Sequence, residues 1–379
     1  MSLHVATDPF QPIARGRAIV LIVGFVLAIA MGPALWFGGA RVKTRSTPPP
    51  PQWDRSAFLD GDLTAKLDRY LVESSPVTRT IRDVYGDLWM CLGLLEPKGV
   101  VFGRGGFLFL RSTLGEPFAF RRDAASRREA FADLHREATE LGVHVLVLPV
   151  PDKARVYSDC LFPQDARGPA RAALYGEVLA ELRGVGFEVL DLDAAMSAWR
   201  KARPEELLFQ RLDTHWSLEA GWRTAELCAQ RLDALGWIAD IPRADVGGQP
   251  VQHSEAHGDL VSQTGLSRDG LFHRLLREEV RWSSVLLRQA DGSASQPAAV
   301  QPDAVIAIAG DSFAEAGLMT ALIGRVGRIV DAGGVKPSRG SREGVTETLA
   351  RIRRGELHAR VLIWEAVERS FDEGWWAPR

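Results

Sequence analysis

Apolar positions along the chain alternate between two periods. Residues 304–309 form a run of six apolar residues, which suits a strand buried on both faces. The run stops at Gly310, where the backbone can turn sharply. Ala314, Leu318, Ala321 and Leu322 then recur at helical spacing and predict a helix over 314–323. Upstream, the glycine-broken stretch 102–110 predicts a hairpin or two short strands about a turn. Helical spacing covers 124–141, 169–183 and 217–235, and strands are expected over 143–150 and 187–192. Downstream the pattern gives a strand at 328–330, a helix near 341–354 and a last strand at 361–364. Strands alternating with helices of this length imply an α/β fold, a parallel sheet with helices on both faces. Ligands in such folds sit beyond the carboxyl ends of the strands, where Ser312 falls.

The amino-terminal quarter follows a different pattern. After a short segment 1–17, residues 18–40 are uncharged and rich in Val, Leu, Ile and Phe. As a helix they extend roughly 34 Å, enough for a bilayer core of about 30 Å. Basic residues flank both ends, so the charge rule does not choose an orientation. Gly38 and Ala40 also fit a small-x-small cleavage site. The length of the span favours an uncleaved transmembrane anchor over a removed signal. Residues 41–57 contain four consecutive prolines and read as a stiff linker. The remainder, 58–379, reads as one domain. It begins with two helical patterns broken near Pro76 and is interrupted by a loop-rich insertion at about 237–302.

Composition changes this picture little. The chain has 379 residues, 46% hydrophobic and 25% charged, with net charge −2. No basic field points to nucleic acid. Three cysteines are too few for a disulfide framework and lack metal spacing.

Two stretches carry candidate chemistry. Ser312 lies between the end of a strand and the first turn of a helix, where free N–H groups and the helix dipole favour an oxyanion. It is either a helix-capping serine or a nucleophile, with Gly310 and Asp311 as neighbouring oxyanion or cleft candidates. Asp213 and His215 stand two apart just ahead of the 217–235 helix, so in extended backbone their side chains point the same way. The carboxylate can then hold one ring nitrogen and leave the other free as a base, which a serine triad requires. The alternative is a capping aspartate beside a surface histidine. His253 and His257, four apart, could share a helix face as metal ligands, but no third ligand has persuasive spacing.

The Asp213-Thr214-His215-Trp216 run followed by Gly310-Asp311-Ser312 resembles the SGNH-hydrolase-like acetyltransferases of the AlgX and AlgJ type. Gly103-Arg104-Gly105-Gly106-Phe107-Leu108-Phe109 resembles that family's G-x-x-G-W-L-F, with Phe107 in place of tryptophan. Pro151-Asp152-Lys153 with Tyr157 resembles its P-x-K-x-x-x-Y. Gly258-Asp259-Leu260 and Glu365-Ala366-Val367-Glu368-Arg369 also match. The resemblance covers about 97–370. It implies an SGNH-hydrolase-like (flavodoxin-like) sheet, with Ser312 as nucleophile, His215 as general base and Asp213 as its orienter. The Asp/His pair precedes the serine, an inversion shared with the AlgX and AlgJ group. No G-x-N-D block is evident, so the Ser312 N–H is the one assigned oxyanion donor. Lys153 and Tyr157 either line the cleft or fix the loop after a strand.

The resemblance further implies an exopolysaccharide O-acetyltransferase in the periplasm, held at the inner membrane through 18–40. A membrane-bound O-acyltransferase would supply the acetyl group, and no cofactor or metal is called for. A periplasmic esterase with the same triad and a non-catalytic polysaccharide-binding scaffold are the alternatives.

Overall fold

A computed structural model describes residues 97–372, apart from 98, 116, 118–123, 249–250, 267–270, 289–293, 296 and 338–340, together with Leu63, Lys66, Tyr85, Gly86 and Leu88. The expected transmembrane segment 18–40, the linker 41–57 and nearly all of the helical stretch 58–96 lie outside the described residues. Among the described residues no helix is long and apolar enough to cross a membrane. The chain divides into two units, residues 96–265 with 276–379 and residues 1–95 with 266–275. The second is described only in parts, including a short helix Leu271–Leu275. The insertion expected at 237–302 is therefore not a unit of its own.

The larger unit is built on a parallel sheet. Strands β3 (His144–Val150), β4 (Glu188–Val189), β10 (Ile306–Gly310), β11 (Val330–Val335) and β12 (Val361–Val367) pair in the order β11-β10-β12-β3-β4, every pair parallel. All residues of β10 and β12 are buried, which explains the apolar run of β10 and that of β12 as far as Trp364, before Glu365. Side chains alternate between two layers. Leu146, Leu148, Ile306, Ile308 and Ile363 pack with α3 (Leu192–Ala202), α4 (Leu218–Ala234) and the helical stretch after Ser312. Val147, Ala307, Ala309, Leu362 and Trp364 pack on the other face with α1 (Ala124–Glu140), α2 (Pro169–Val185) and α5 (Ser341–Arg353). Trp364 is thus a core residue. β1 (Val100–Phe102) and β2 (Leu108–Leu110) form the expected hairpin, with Val101 opposite Phe109.

Three elements depart from the pattern, each for a local reason. The strand expected at 187–192 stops at Val189, because the Asp191 side chain accepts the Ala194 N–H at 3.1 Å and caps α3. The strand expected at 328–330 runs instead from Val330 to Val335. Its apolar signal is interrupted by Asp331, which is fully buried against the Arg351 guanidinium at 2.7 Å. The helix expected over 314–323 is wound wide at Ala314–Leu318 and Ile323–Gly327, with a break at Ala316 and Gly317. Gly317 has φ 95°, a conformation that glycine alone adopts cheaply.

The insertion carries β5 (Val246–Gly248), β6 (Gln252–Ala256), β7 (Glu278–Trp282), β8 (Val285–Arg288) and β9 (Ala294–Ser295). They form two small antiparallel sheets, β5-β8-β9 and β6-β7.

Candidate active site

Residues 208–217 fold back on themselves ahead of α4. Phe209 and Trp216 form an isolated antiparallel bridge, and the Gln210 N–H donates to the His215 carbonyl at 3.1 Å. Ser217 then caps α4 by accepting the Ala220 N–H. This turn brings Asp213 and His215 together: Asp213 Oδ1 lies 2.6 Å from His215 Nδ1 and also accepts the His215 backbone N–H at 2.9 Å. The second carboxylate oxygen accepts the Asp259 N–H at 2.8 Å. Burial pushes the Asp213 carboxyl up, but the hydrogen bonds from His215 and Asp259 outweigh it and bring the pKa down to about 2. The aspartate is an anion, so the proton between the two groups belongs to Nδ1. His215 Nε2 is buried and makes no hydrogen bond, so none joins it to Ser312.

Asp259 comes from the insertion. Its two oxygens accept the Thr214 N–H at 2.7 Å and the Thr214 hydroxyl at 2.5 Å. Gly258 makes that approach possible, because a Cβ there would overlap the Leu212 carbonyl. Glu278, also from the insertion, accepts the backbone N–H groups of Arg211 and Leu212 at 2.6 and 2.8 Å. Neither acid was assigned a role from spacing alone. The Gly258-Asp259-Leu260 match was the available signal for Asp259, and nothing local marked Glu278.

Lys153 and Tyr157 lie beneath this turn. Lys153 is buried, and its ammonium donates to the carbonyls of Gln210, Arg211 and Asp213. The Tyr157 hydroxyl accepts the Leu208 N–H at 2.9 Å, its ring packs on Phe107, and burial pushes its pKa up. By these contacts both side chains hold residues 208–213.

Ser312 follows the carboxyl end of β10. Gly310 is required there: a Cβ would stand 2.5 Å from Glu365 Oε2 and 2.8 Å from the Ala314 methyl. Asp311, named above as an oxyanion or cleft candidate, has its polar groups engaged within the protein. Its N–H donates to Glu365 Oε2 at 2.9 Å, and its carboxylate turns inward to accept the N–H groups of Phe313 and Val367. The Gly310 carbonyl accepts the Lys336 N–H. Phe313 connects this turn to the other one. The His215 ring lies 4.9 Å from the Phe313 ring, and Trp216 lies 5.6 Å from it. The Trp216 indole N–H donates to the Ala316 carbonyl at 2.9 Å, satisfying a group at the break in the helix. The Arg369 guanidinium lies 5.3 Å from the Phe313 ring centre and reaches Asp152 Oδ1 at 3.4 Å. Glu368 does not pair with Arg369. It is buried against Arg155 and Arg167.

His253 stands on β6 and His257 follows it, so they share no helix face. His253 pairs with Glu279, and His257 Nδ1 donates to the Leu276 carbonyl. Asp213, His215 and Asp259 are close enough to surround an ion. Their inward atoms are already engaged with one another and with Thr214.

Residues 100–368 match the family described as the SGNH hydrolase-like domain of acetyltransferase AlgX. A curated relative, the probable alginate O-acetylase AlgJ of Pseudomonas aeruginosa, is 27% identical over 222 residues, 58% of this chain and 54% of its own length. The chain thus spans about half the length of the curated relative it matches. Among solved structures, the O-acetyltransferase domain of Pseudomonas putida AlgJ aligns with a TM-score of 0.60 and 21% identity, over 73% of this chain and 93% of that one. Pseudomonas aeruginosa AlgX aligns with a TM-score of 0.51 and 16% identity, over 71% and 61%. These likenesses establish the SGNH-hydrolase-like α/β fold.

Proposed function

The chain belongs to the family of SGNH hydrolase-like domains typified by acetyltransferase AlgX, and from that premise we propose that it is an O-acetyltransferase acting on a polysaccharide through a Ser312 acetyl-enzyme. Ser312 Oγ attacks the acetyl carbonyl of the donor while His215 Nε2 takes the hydroxyl proton. Asp213 keeps the ring proton on Nδ1 and steadies the imidazolium that forms. The Ser312 N–H, at the end of β10, is the donor assigned to the oxyanion. As the tetrahedral centre collapses, His215 passes its proton to the leaving group and the acetyl stays on Ser312. A sugar hydroxyl then loses its proton to His215, attacks the ester, and departs acetylated as the bond to Ser312 breaks and His215 returns the proton to Oγ.

The observation that carries the reading is the Asp213–His215 pair. The carboxylate holds ring Nδ1 and the backbone N–H of the same histidine, Nε2 is left unpartnered, and the ring lies on the residue after Ser312. A short approach between Oγ and Nε2 when the donor binds completes the triad, since such contacts often tighten only with substrate present. Exported alginate-like polymer as acceptor, a membrane-bound O-acyltransferase as acetyl supplier and a periplasmic site tethered to the inner membrane through 18–40 are further parts of the proposal. The name of the AlgJ relative, a probable alginate O-acetylase, supports the acceptor class.

The test supplies an activated acetyl ester with and without polysaccharide. Acetyl should appear on the polymer, with turnover faster than hydrolysis alone and abolished in Ser312→Ala. Hydrolysis unaffected by any polymer would make the protein an esterase. Polymer binding without ester turnover would make it a scaffold.

A further inference from the structure

We propose that Lys153 is a positioning residue for this reaction, its ammonium holding the Asp213–His215 turn in working geometry through that turn's own carbonyls. The inference rests on the roles given above to Asp213 and His215. Lys153 follows β3 at the carboxyl end of the sheet and begins a short helix, Lys153–Val156. Its Nζ lies 3.1 Å from the Gln210 carbonyl, 3.1 Å from that of Arg211 and 2.6 Å from that of Asp213. An ammonium has three protons and accepts nothing, so all three are engaged on one turn. Two of those carbonyls lead into the Asp-x-His segment, and the third belongs to the aspartate itself. The rings of Phe107 and Phe109, 6.0 and 5.6 Å away, wall the group in.

Three carbonyl dipoles pointing at one spot repel each other unless a cation sits among them. Loss of one proton leaves an amine with two donors and a lone pair facing a carbonyl. One backbone acceptor is then unmatched in a dry place, and the turn relaxes. Tyr157 and Glu278 hold other parts of the turn, so relaxation shifts His215 without unfolding the chain.

The electrostatic surroundings make that loss accessible. Burial pulls the Lys153 ammonium down to about 7, against the opposing pull of Glu278, Asp259 and Asp213. Asp152 and Arg369 share the small cavity beside it, together with Thr113 and Thr214. Burial and then the charge of Glu368 raise Asp152 to about 6. The rate therefore has an alkaline limb set by Lys153. The stability effect has the opposite sign. Between its folded pKa and its ordinary value of 10.5, Lys153 carries fewer protons in the folded chain than in the unfolded one. Rising pH then favours folding through this group. Activity and stability part company above neutrality.

The test measures the rate of acetyl-enzyme formation with an activated acetyl ester from pH 5.5 to 9.5, with Ser312→Ala as background. Wild type should lose rate on the alkaline side with an apparent pKa of about 7, while its thermal melting holds. Lys153→Arg keeps a permanently charged donor and should lose the alkaline limb. Lys153→Met should be slower by about 10- to 100-fold, the scale of a misplacement near 1 Å, with no alkaline limb. A flat wild-type rate to pH 9.5, a folded Lys153→Arg with the wild-type limb, or Lys153→Met at the wild-type rate overturns the role. Should the arginine variant not fold, the side-chain nitrogen of Lys153 is titrated by NMR in wild type. Titration at the limb supports the proposal and titration elsewhere overturns it. A wild type that forms no acetyl adduct at any pH overturns the acyl-enzyme reading and this role with it, whereas acetylation indifferent to Lys153 overturns the role alone.

Discussion

The two turns that meet at the candidate active site are supported by opposite chemistry. The Asp213–His215 turn rests on a buried cation, Lys153, whose protons go to three backbone carbonyls. The Ser312 turn rests on two buried acids, Asp311 and Glu365, whose oxygens accept backbone N–H groups. Burial, and next the charge of Asp311, hold Glu365 well above the ordinary carboxyl range, so it is a neutral acid. Each support matches the polarity of the groups it gathers, since carbonyls converge on a donor and amides on acceptors. Phe209, Trp216 and Phe313 anchor the two loops in the core, and these buried polar groups satisfy the loops' backbone.

The largest effect expected is on the first turn. Asp213→Asn keeps the shape but favours the ring tautomer with its proton on Nε2, which blocks the base, and acetyl-enzyme formation should fall by about 10⁴-fold. Retention of a tenth of the wild-type rate would break the assignment of Asp213. On the second turn, Glu365→Ala should cost about 2–3 kcal/mol in urea unfolding, by stripping the Asp311 N–H of its acceptor in a buried place. Glu365→Gln mimics the neutral acid and should fold like wild type at pH 5. Above the ordinary carboxyl range, folded Glu365 retains a proton that the unfolded chain releases, so wild-type stability declines with rising pH through this group. The glutamine variant lacks that decline and should become the more stable of the two at pH 8. Equal pH slopes would show that Glu365 is ionised. Gly310→Ala should destabilise by about 1–3 kcal/mol, because its Cβ meets both Glu365 and Ala314. The smallest effect belongs to the joint between the turns. Trp216→Phe removes the indole bond to the Ala316 carbonyl and should cost about 1 kcal/mol, with a larger loss in rate than in stability.

What was legible in the chain followed from local periodicity. β10 and the 361–364 part of β12 are continuous apolar runs because both faces are buried, and α1, α2, α4 and α5 show helical spacing. The Asp213–His215 contact was legible for the same reason, since two residues at i and i+2 need no distant partner to meet. Elements whose cause is non-local were harder to see. Asp331 breaks the signal of β11 because its partner, Arg351, lies twenty residues away on α5. Asp191 ends a strand by capping α3, so one residue type served two readings. Lys153 could not be assigned between cleft and loop, because its three acceptors are drawn from a turn about sixty residues on. Asp259 and Glu278 sit in an insertion whose polar composition resembles plain surface loop, and only the folded chain brings them to the Asp213 turn. The spacing of His253 and His257 suggested a helix face, but His253 stands on β6 and His257 lies just beyond its end.

The central claim is that Ser312 carries the acetyl group under the control of His215 and Asp213. Brief exposure of the protein to an activated acetyl ester, followed by intact-mass and peptide mapping, tests it most directly. The account predicts one acetyl group on the peptide containing Ser312, absent in Ser312→Ala and strongly reduced in His215→Ala. A folded wild type with no adduct, or one acetylated elsewhere and equally in all three proteins, would contradict it.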